Sequence, residues 1–268
     1  MKKIQQYVRH VDRFPEILTA ARTFDPFLPV TLEYLDARRI TYPIETRLPN
    51  GLRVRLTERE DVKILWHIFV RKCYEVSGTE SVILDLGANV GFFALYAASN
   101  APRARIYSVE PVPSTFQRLT GHLESNGLTT RVTALNSAVG GQMGKRFIAL
   151  ENVPAGQRRL LADGSENARP GVEVSCNTLE SILDQYNLHT VDLTKMDIEG
   201  SEFEVLLATP AAALRRIAQM DIEIHNNVTA QGHTSDELVA HLRTAGLMLS
   251  SIETDALGFS QARFVRQN

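Results

Sequence analysis

The chain predicts an alternating α/β fold built on a mostly parallel sheet. Short apolar runs recur near 82–84, 106–109, 132–139, 191–196 and 217–224. Helical patterns separate most of them, and an acid or glycine comes directly after each run but the last, which is followed by His225. Strand, helix and strand at this spacing imply right-handed crossovers and parallel pairing. With 268 residues, 44% apolar and 22% charged, the chain can close such a sheet around a core without disulfides or metals. Its two cysteines, Cys73 and Cys176, have no zinc or CxxC spacing.

Residues 1–45 read as an N-terminal helical extension. Ile4, Tyr7, Val8 and Val11 fall at helical spacing, and Pro15 opens a second short helix over 16–24. Pro26, Pro29 and Pro43 break up the rest of the extension. The favoured reading is an arm packed on the main domain; the alternative is a lid or a homodimer contact. Residues 46–268 form that domain. Asn50-Gly51 signals a hairpin turn into the alternating Leu52, Val54 and Leu56. A helix over 61–75 places Val62, Leu65, Trp66, Phe69 and Val70 on one stripe. Strand 82–84, helix 91–99, strand 106–109, helix 114–125 and strand 132–139 come next. Gln117 is placed for a capping box with Ser114. Residues 140–176 read as a β insertion, with strands at 146–150 and 172–174 and a loop over 154–170. Asn177 and Glu180 offer a capping box for a helix to Tyr186. Strand 191–196, a helix through Leu207, strand 217–224 and helix 235–245 come after it, and Gly246 stops that last helix. Two closing strands cover 247–253 and 259–265.

In an open α/β sheet, ligands bind beyond the carboxyl ends of the strands. Four such ends carry acids: Asp85, Glu110, Asp197 and Glu223. The first turn has the spacing D-x-G-x-x-x-G, from Asp85 through Gly87 to Gly91; Asn89 takes the place of the middle glycine of a dinucleotide fingerprint. Asp85 would repel a pyrophosphate and attract an ammonium group, such as the one in the methionine moiety of S-adenosylmethionine. Glu110 suits a ribose diol, a need that NAD shares, and Pro111 can lie against an adenine. Tyr74, on the way into the first strand, is placed to reach a cofactor. Two rival classes remain: an NAD-dependent oxidoreductase, and a non-catalytic cofactor-binding scaffold.

The runs Asp85-Leu-Gly-Ala-Asn-Val-Gly-Phe-Phe-Ala-Leu, Val109-Glu110-Pro111 and Lys195-Met-Asp197-Ile-Glu199-Gly200-Ser-Glu202 resemble the FkbM-type methyltransferases. The Glu223-Ile-His225 strand ending and the Thr178-Leu-Glu-Ser-Ile-Leu segment are similar too. The resemblance covers roughly residue 45 to the end. Met196, Ser201 and Glu180 depart from the commoner family residues. It implies a Rossmann-like, seven-stranded class I methyltransferase sheet with the last strand antiparallel. It also implies S-adenosylmethionine as donor, and O-methylation of a hydroxyl on a sugar or secondary metabolite. The cofactor residues expected on this reading are Asp85, Gly87, Asn89, Gly91, Phe92, Glu110, Pro111, Ser137, Ala138 and Asp197.

Methyl transfer to oxygen needs alignment of donor and acceptor and removal of the hydroxyl proton. The catalytic candidates are Asp197, His225, Glu199 and Glu223. His225, with a reference pKa of about 6.5, is the expected general base. Glu199 and Glu223 would orient it or bind acceptor hydroxyls. An alternative uses Mg²⁺ on the oxygen donors Asp197, Glu223 and Asn226. Lys195 is expected to face away from Asp197, and Glu202 and Glu204 to be solvated acids in a first helical turn. The other histidines, His122 among them, read as surface or packing residues. Net charge is −2, which calls for neither nucleic acid nor an anionic membrane. No run of about 20 apolar residues exists, and the first residues lack the apolar stretch of a signal peptide. A cytoplasmic enzyme acting on a small-molecule or glycan hydroxyl is the expectation.

Overall fold

A computed structural model describes residues 13–149, 160–161, 171–225, 232–254 and 259–267. The expected helix around Ile4 to Val11, most of the 140–176 insertion's loop, and Asn226 fall outside these residues.

Two short helices lead in. Helix α1 (Phe14–Thr23) carries Pro15 in its first turn and α2 (Leu28–Tyr34) carries Pro29 there. The absent proline N–H is no loss in a first turn, so Pro29 starts a helix where a breaker was expected. Strands β1 (Ile44–Arg47) and β2 (Arg53–Leu56) form the hairpin signalled by Asn50-Gly51. Helix α3 (Arg59–Phe69) buries Val62, Leu65, Trp66 and Phe69. It stops at Phe69 rather than 75, and Lys72 turns the chain at a φ of 55°. The N-terminal helices dock because Trp66 Nε1 donates to Glu16 Oε2 at 2.7 Å while Tyr34 stacks on the indole at 4.1 Å.

The alternating part runs β3 (Val82–Leu86), α4 (Phe92–Asn100), β4 (Arg105–Val109), α5 (Pro113–Ser125), β5 (Val132–Leu135), β6 (Ala138–Val139), β7 (Gly144–Ala149), β8 (Leu160–Leu161) and β9 (Gly171–Asn177). It continues with α6 (Leu179–Gln185), β10 (Val191–Met196), α7 (Glu202–Ala208), α8 (Ala211–Leu214), β11 (Ile217–His225), α9 (Ser235–Thr244), β12 (Leu247–Thr254) and β13 (Phe259–Arg266). Seven strands form the main sheet in the order β12-β13-β11-β10-β3-β4-β5. Among them, β13 runs against its neighbours, β11 and β12. This is the class I methyltransferase sheet that the resemblance implied.

The expected single strand 132–139 divides. Asn136 Nδ2 donates to the Glu110 and Pro111 carbonyls at 2.8 and 2.9 Å, which turns the chain out of the main sheet. After the turn, β6 joins β9, β7 and β8 in a second, four-stranded sheet. Two expected caps also differ. Helix α5 begins at Pro113 with no side-chain cap, so Ser114 lies inside it. Helix α6 is capped by Thr178, whose hydroxyl accepts from the Ser181 N–H at 3.1 Å, while Asn177 donates to Ser137 Oγ.

One apolar cluster joins Ile83, Ile106 and Leu193 to α3 and α4; a second joins Leu84, Leu86, Met196, Met220 and Ile222 to α6, α7 and α9. Helix α4 is buried from Phe92 to Ala98, around its whole circumference. The helices α1 and α2 contribute Ala20, Phe24 and Val30 to the first cluster. Among the described residues, no helix is long and apolar enough to cross a membrane.

The register sets up the site. Ser108, Asp85, Lys195, Asp221 and Arg263 are successive cross-strand partners on β4, β3, β10, β11 and β13. Two positions nearer the same edge of the sheet stand Glu110, Gly87, Asp197 and Glu223, and, on the antiparallel β13, Gln261. Residues two apart share a face of the sheet. The chemistry-bearing side chains therefore gather at one edge of one face.

Candidate active site

A cleft of about 1210 Å³ opens at this edge. It is lined by Gly87, Asn89, Phe92, Glu110, Pro111, Ser137 and Ala138 on one side and by Lys195, Asp197, Glu199, Glu223 and His225 on the other. Tyr74 also faces it. Asp85 and Gly91, expected with them, lie behind its wall.

The first side is built from the turn after β3. Gly87 has φ 77°, and a Cβ there would overlap the Asp197 carbonyl, so no other residue fits. The Gly87 and Ala88 N–H groups donate to the Val109 carbonyl at 3.0 and 2.9 Å. Gly91, at φ 90°, is the N-cap of α4. The buried Glu110 accepts from the Asn89 N–H through one oxygen and from the Val112 N–H through the other, both at 2.9 Å. Burial raises its carboxyl to about 7, and those two backbone bonds work in the opposite direction. Each oxygen keeps a second lone pair, enough to accept from two adjacent hydroxyls. Ser137 Oγ is already committed to the Ala138 and Ser175 carbonyls.

Asp85 is 0% exposed. The ammonium expected beside it comes from within the protein: Lys195 Nζ stands 3.5 Å from Oδ1, and Ser108 Oγ donates to Oδ2 at 3.2 Å. Lys195 Nζ also donates to the Gly87 carbonyl at 2.6 Å and lies 3.9 Å from Asp197 Oδ2. The expectation that Lys195 faces away from Asp197 is corrected here: positions 195 and 197 are two apart and therefore share a side. Burial disfavours the Lys195 charge, but Asp197, Asp85 and Glu223 outweigh it and raise its pKa.

The second side concentrates acids. His225 is buried, with Nδ1 3.0 Å from Glu202 Oε1 and Nε2 3.3 Å from Glu199 Oε2. Burial alone would lower its pKa; the hydrogen bonds to the two carboxylates override that and push it up to about 11. At neutral pH His225 is thus an imidazolium bridging two acids, and the ordinary pKa that made it the expected base does not hold here. Glu202 is corrected too. It is fully buried, and the same Oε1 accepts from the Ile198 and Gly200 N–H groups at 3.2 and 3.1 Å. Glu204 is only part-exposed and accepts from the Gly141 N–H at 2.9 Å. Glu223 has its carboxyl raised to about 8, first by the Asp197 charge and then by burial.

Asp197, Glu223 and His225 offer ligand atoms within 4.8 Å of one another. Both His225 ring nitrogens already face carboxylates, Glu199 and Glu202, so His225 could join Asp197 and Glu223 around a divalent ion only by giving up one of those contacts, and this donor set fits such an ion poorly. The expected third ligand, Asn226, lies outside the described residues.

Residues 85–247 match the family model described as the methyltransferase FkbM domain. The chain belongs to the FkbM methyltransferase family. Among its relatives, the 31-O-demethyl-FK506 methyltransferase FkbM of Streptomyces tacrolimicus is 28% identical over 236 residues, 76% of this chain and 88% of that protein. The hexuronic acid methyltransferase AglP of Haloferax volcanii is 25% identical over 222 residues, 79% of this chain and 87% of that one. The AMB antimetabolite synthetase AmbE of Pseudomonas aeruginosa is 28% identical over 252 residues, 80% of this chain but 12% of that protein. A crystal structure of methyltransferase FkbM from Methylobacillus flagellatus KT aligns at 15% identity and a TM-score of 0.49, covering 96% of this chain and 60% of that one.

The FkbM segment carries every acid of the site from Asp85 to Glu223, and His225 with them. Parts outside it complete the site. Tyr74 sets its ring 5.7 Å from Lys195 Nζ. Arg263 on β13 grips the buried Asp221 through Nε at 2.8 Å and a terminal nitrogen at 3.0 Å, and it also pairs with Glu75. Sequence reasoning missed the parts played by Lys195, Glu202 and the Arg263–Asp221 pair. One signal was available: a lysine inside a central strand must find buried partners.

Proposed function

We propose that this FkbM-family enzyme transfers a methyl group from S-adenosylmethionine to a hydroxyl oxygen of a sugar or secondary metabolite, with Glu223 as general base. The observation that carries the base assignment is Glu223 itself. It faces the cleft beside Asp197, and its carboxyl, raised to about 8, titrates close to working pH. The names of the FkbM and AglP relatives, a 31-O-demethyl-FK506 methyltransferase and a hexuronic acid methyltransferase, support an oxygen-rich acceptor.

The residues fit the donor. The turn after β3 lines the cleft through Gly87 and Asn89, and Glu110 has acceptor capacity for a ribose diol. When bound, the donor supplies an electrophilic methyl group on a sulfonium. Glu110 holds the sugar hydroxyls, Asn89 and Pro111 border the nucleoside, and Asp197 stands at the junction of the two sides. Glu223 accepts the acceptor's hydroxyl proton as the oxygen attacks. His225 holds Glu199 and Glu202 apart from that exchange, and Tyr74 lines the cleft beside Lys195. No step needs a metal.

Calorimetric titration with S-adenosylhomocysteine, with NADH as control and with Mg²⁺ or EDTA present, tests the class. Binding of S-adenosylhomocysteine alone, unaffected by EDTA, is the expected outcome. NADH binding alone would revive the oxidoreductase reading, and donor binding without turnover on a broad hydroxyl panel the scaffold reading. A Mg²⁺ requirement for turnover would return Asp197 and Glu223 to the role of metal ligands.

A further inference from the structure

We infer that Lys195 positions the methionine end of the methyl donor: its ammonium holds the Gly87 carbonyl and the Asp197 carboxylate in one frame, occupies Asp85, and leaves Asp197 to receive the donor's own ammonium. This rests on S-adenosylmethionine being the donor.

The geometry is that of a charge row. Across β3, β10, β11 and β13 the partners read Asp85, Lys195, Asp221 and Arg263, alternating in sign. Arg263 meets Asp221 through two nitrogens, at 2.8 and 3.0 Å. Lys195 meets Asp85 at 3.5 Å. Each fully buried acid of the row is thus matched inside the protein, as burial of charge requires. A ligand ammonium entering from the cleft cannot displace Lys195 from Asp85, because Asp85 lies behind the wall and Lys195 is only 4% exposed. The first acid past the row is different. The Asp197 side chain is 27% exposed, faces the cleft, and has Lys195 no nearer than 3.9 Å. Glu199 is tied to His225 and Glu223 is pushed toward its protonated form by the Asp197 charge, so Asp197 is the acid here that an incoming ammonium relieves.

The position of Lys195 is set by contacts that reach both motifs. Its Nζ bonds to the Gly87 carbonyl at 2.6 Å and lies 3.4 Å from the Leu86 carbonyl, both in the first turn, while its own strand leads directly into Asp197. Loss of the ammonium therefore leaves the Gly87 carbonyl and the Asp197 carboxylate without their shared partner, while the backbone contacts between the two motifs remain. The adenosine contacts at Glu110, held by Asn89 and Val112 backbone, do not depend on it.

The test compares two ligands: S-adenosylhomocysteine, and 5′-methylthioadenosine, which keeps the nucleoside and the thioether but lacks the amino-acid end. In Lys195→Met, S-adenosylhomocysteine affinity is expected to fall by about tenfold or more, the loss of a charge-assisted contact, and 5′-methylthioadenosine affinity by less than about threefold. Asp197→Asn should give the same selective loss, and Lys195→Arg should recover part of it. Because Lys195→Met strands the Asp85 carboxylate, the double variant Lys195→Met/Asp85→Asn is measured alongside. It removes that buried charge and should keep the ligand-selective loss. Equal losses for both ligands would make Lys195 purely structural and overturn the inference, as would full S-adenosylhomocysteine affinity in either Lys195→Met variant. A wild-type protein that binds neither ligand would instead overturn the donor reading on which the inference stands.

Discussion

Each side of the cleft raises one carboxyl toward neutral pH, and the two sides do so by different means: burial for Glu110, the Asp197 charge for Glu223. On the side of β3 and β4, each acid is matched: Asp85 by Lys195 and Ser108, Glu110 by two backbone N–H groups. On the side of β10 and β11, Asp197, Glu199 and Glu223 crowd one another, and Glu223 is raised to about 8 by its neighbour's charge. Matching hydrogen bonds make a rigid receptor whose groups need little rearrangement on binding. Crowded acids make a group that holds a proton loosely near neutral pH. On the proposed reading, binding and proton transfer are thereby divided between neighbouring strand ends of one sheet.

Removing the acid of the second side should do the most damage to turnover. Glu223→Gln should lower kcat by about 10²- to 10⁴-fold while S-adenosylhomocysteine affinity stays at the wild-type value; a variant that keeps its turnover and its pH profile would move the base elsewhere. Glu110→Ala disturbs only the first side, and calorimetry should show S-adenosylhomocysteine weakened about 10- to 100-fold. Unchanged affinity in the folded variant would remove Glu110 from the ribose.

Glu110 also gives a pH signature. Its carboxyl stands near 7 and the diol needs the ionised form, so a ligand arriving below that pH must first expel a proton. Affinity should tighten from pH 6 to pH 8 by up to about tenfold, with proton release, and Glu110→Gln should flatten the curve. The activity limb set by Glu223 lies higher, near 8, and should survive in Glu110→Gln.

The mildest change is expected in the support behind the first side. Buried His122 offers Nδ1 to the Val90 carbonyl at 2.7 Å and accepts from the Arg55 N–H through Nε2 at 3.0 Å. Burial lowers its pKa, so the neutral ring is the folded form. Its contribution to stability is complete above about pH 6.5 and is lost as pH falls through its lowered value, because the unfolded chain takes the proton first. His122→Ala should cost about 1–3 kcal/mol in urea unfolding at pH 8, and less of that difference should remain at pH 5.

Much of this site was legible in the sequence. The acids Glu110 and Asp197 stand directly past their strands as the apolar runs predicted, Asp85 and Glu223 lie within the last residues of β3 and β11 instead, and β10 was located to the residue. Pairings across strands were not readable. Lys195 meets Asp85, and Asp221 meets Arg263, only through the register of a sheet whose partners lie tens of residues apart. Glu202 shows the same limit. In sequence it is an acid at the start of a helix, where solvent and the helix dipole suffice; in the fold that start is buried, and Glu202 must satisfy the Ile198 and Gly200 N–H groups and His225. The division of strand 132–139 was hidden because side-chain pattern alone cannot tell one sheet from another.

Gly87 lies so close to the Asp197 carbonyl that the two motifs move as one body. The turn proposed to cradle the donor and the strand end proposed to face the acceptor touch backbone to backbone, and the Asp197 N–H also bonds to the Leu86 carbonyl at 3.1 Å. Neither can slide without the other. Substitution by an attacking oxygen along one line tolerates little misplacement, and a shift of about 1 Å can cost about a hundredfold in rate. The relative position of the two motifs is thus written into main chain, with the Lys195 ammonium as a side-chain tie between them. Acceptor-facing residues can then diversify for new substrates without disturbing the line of attack.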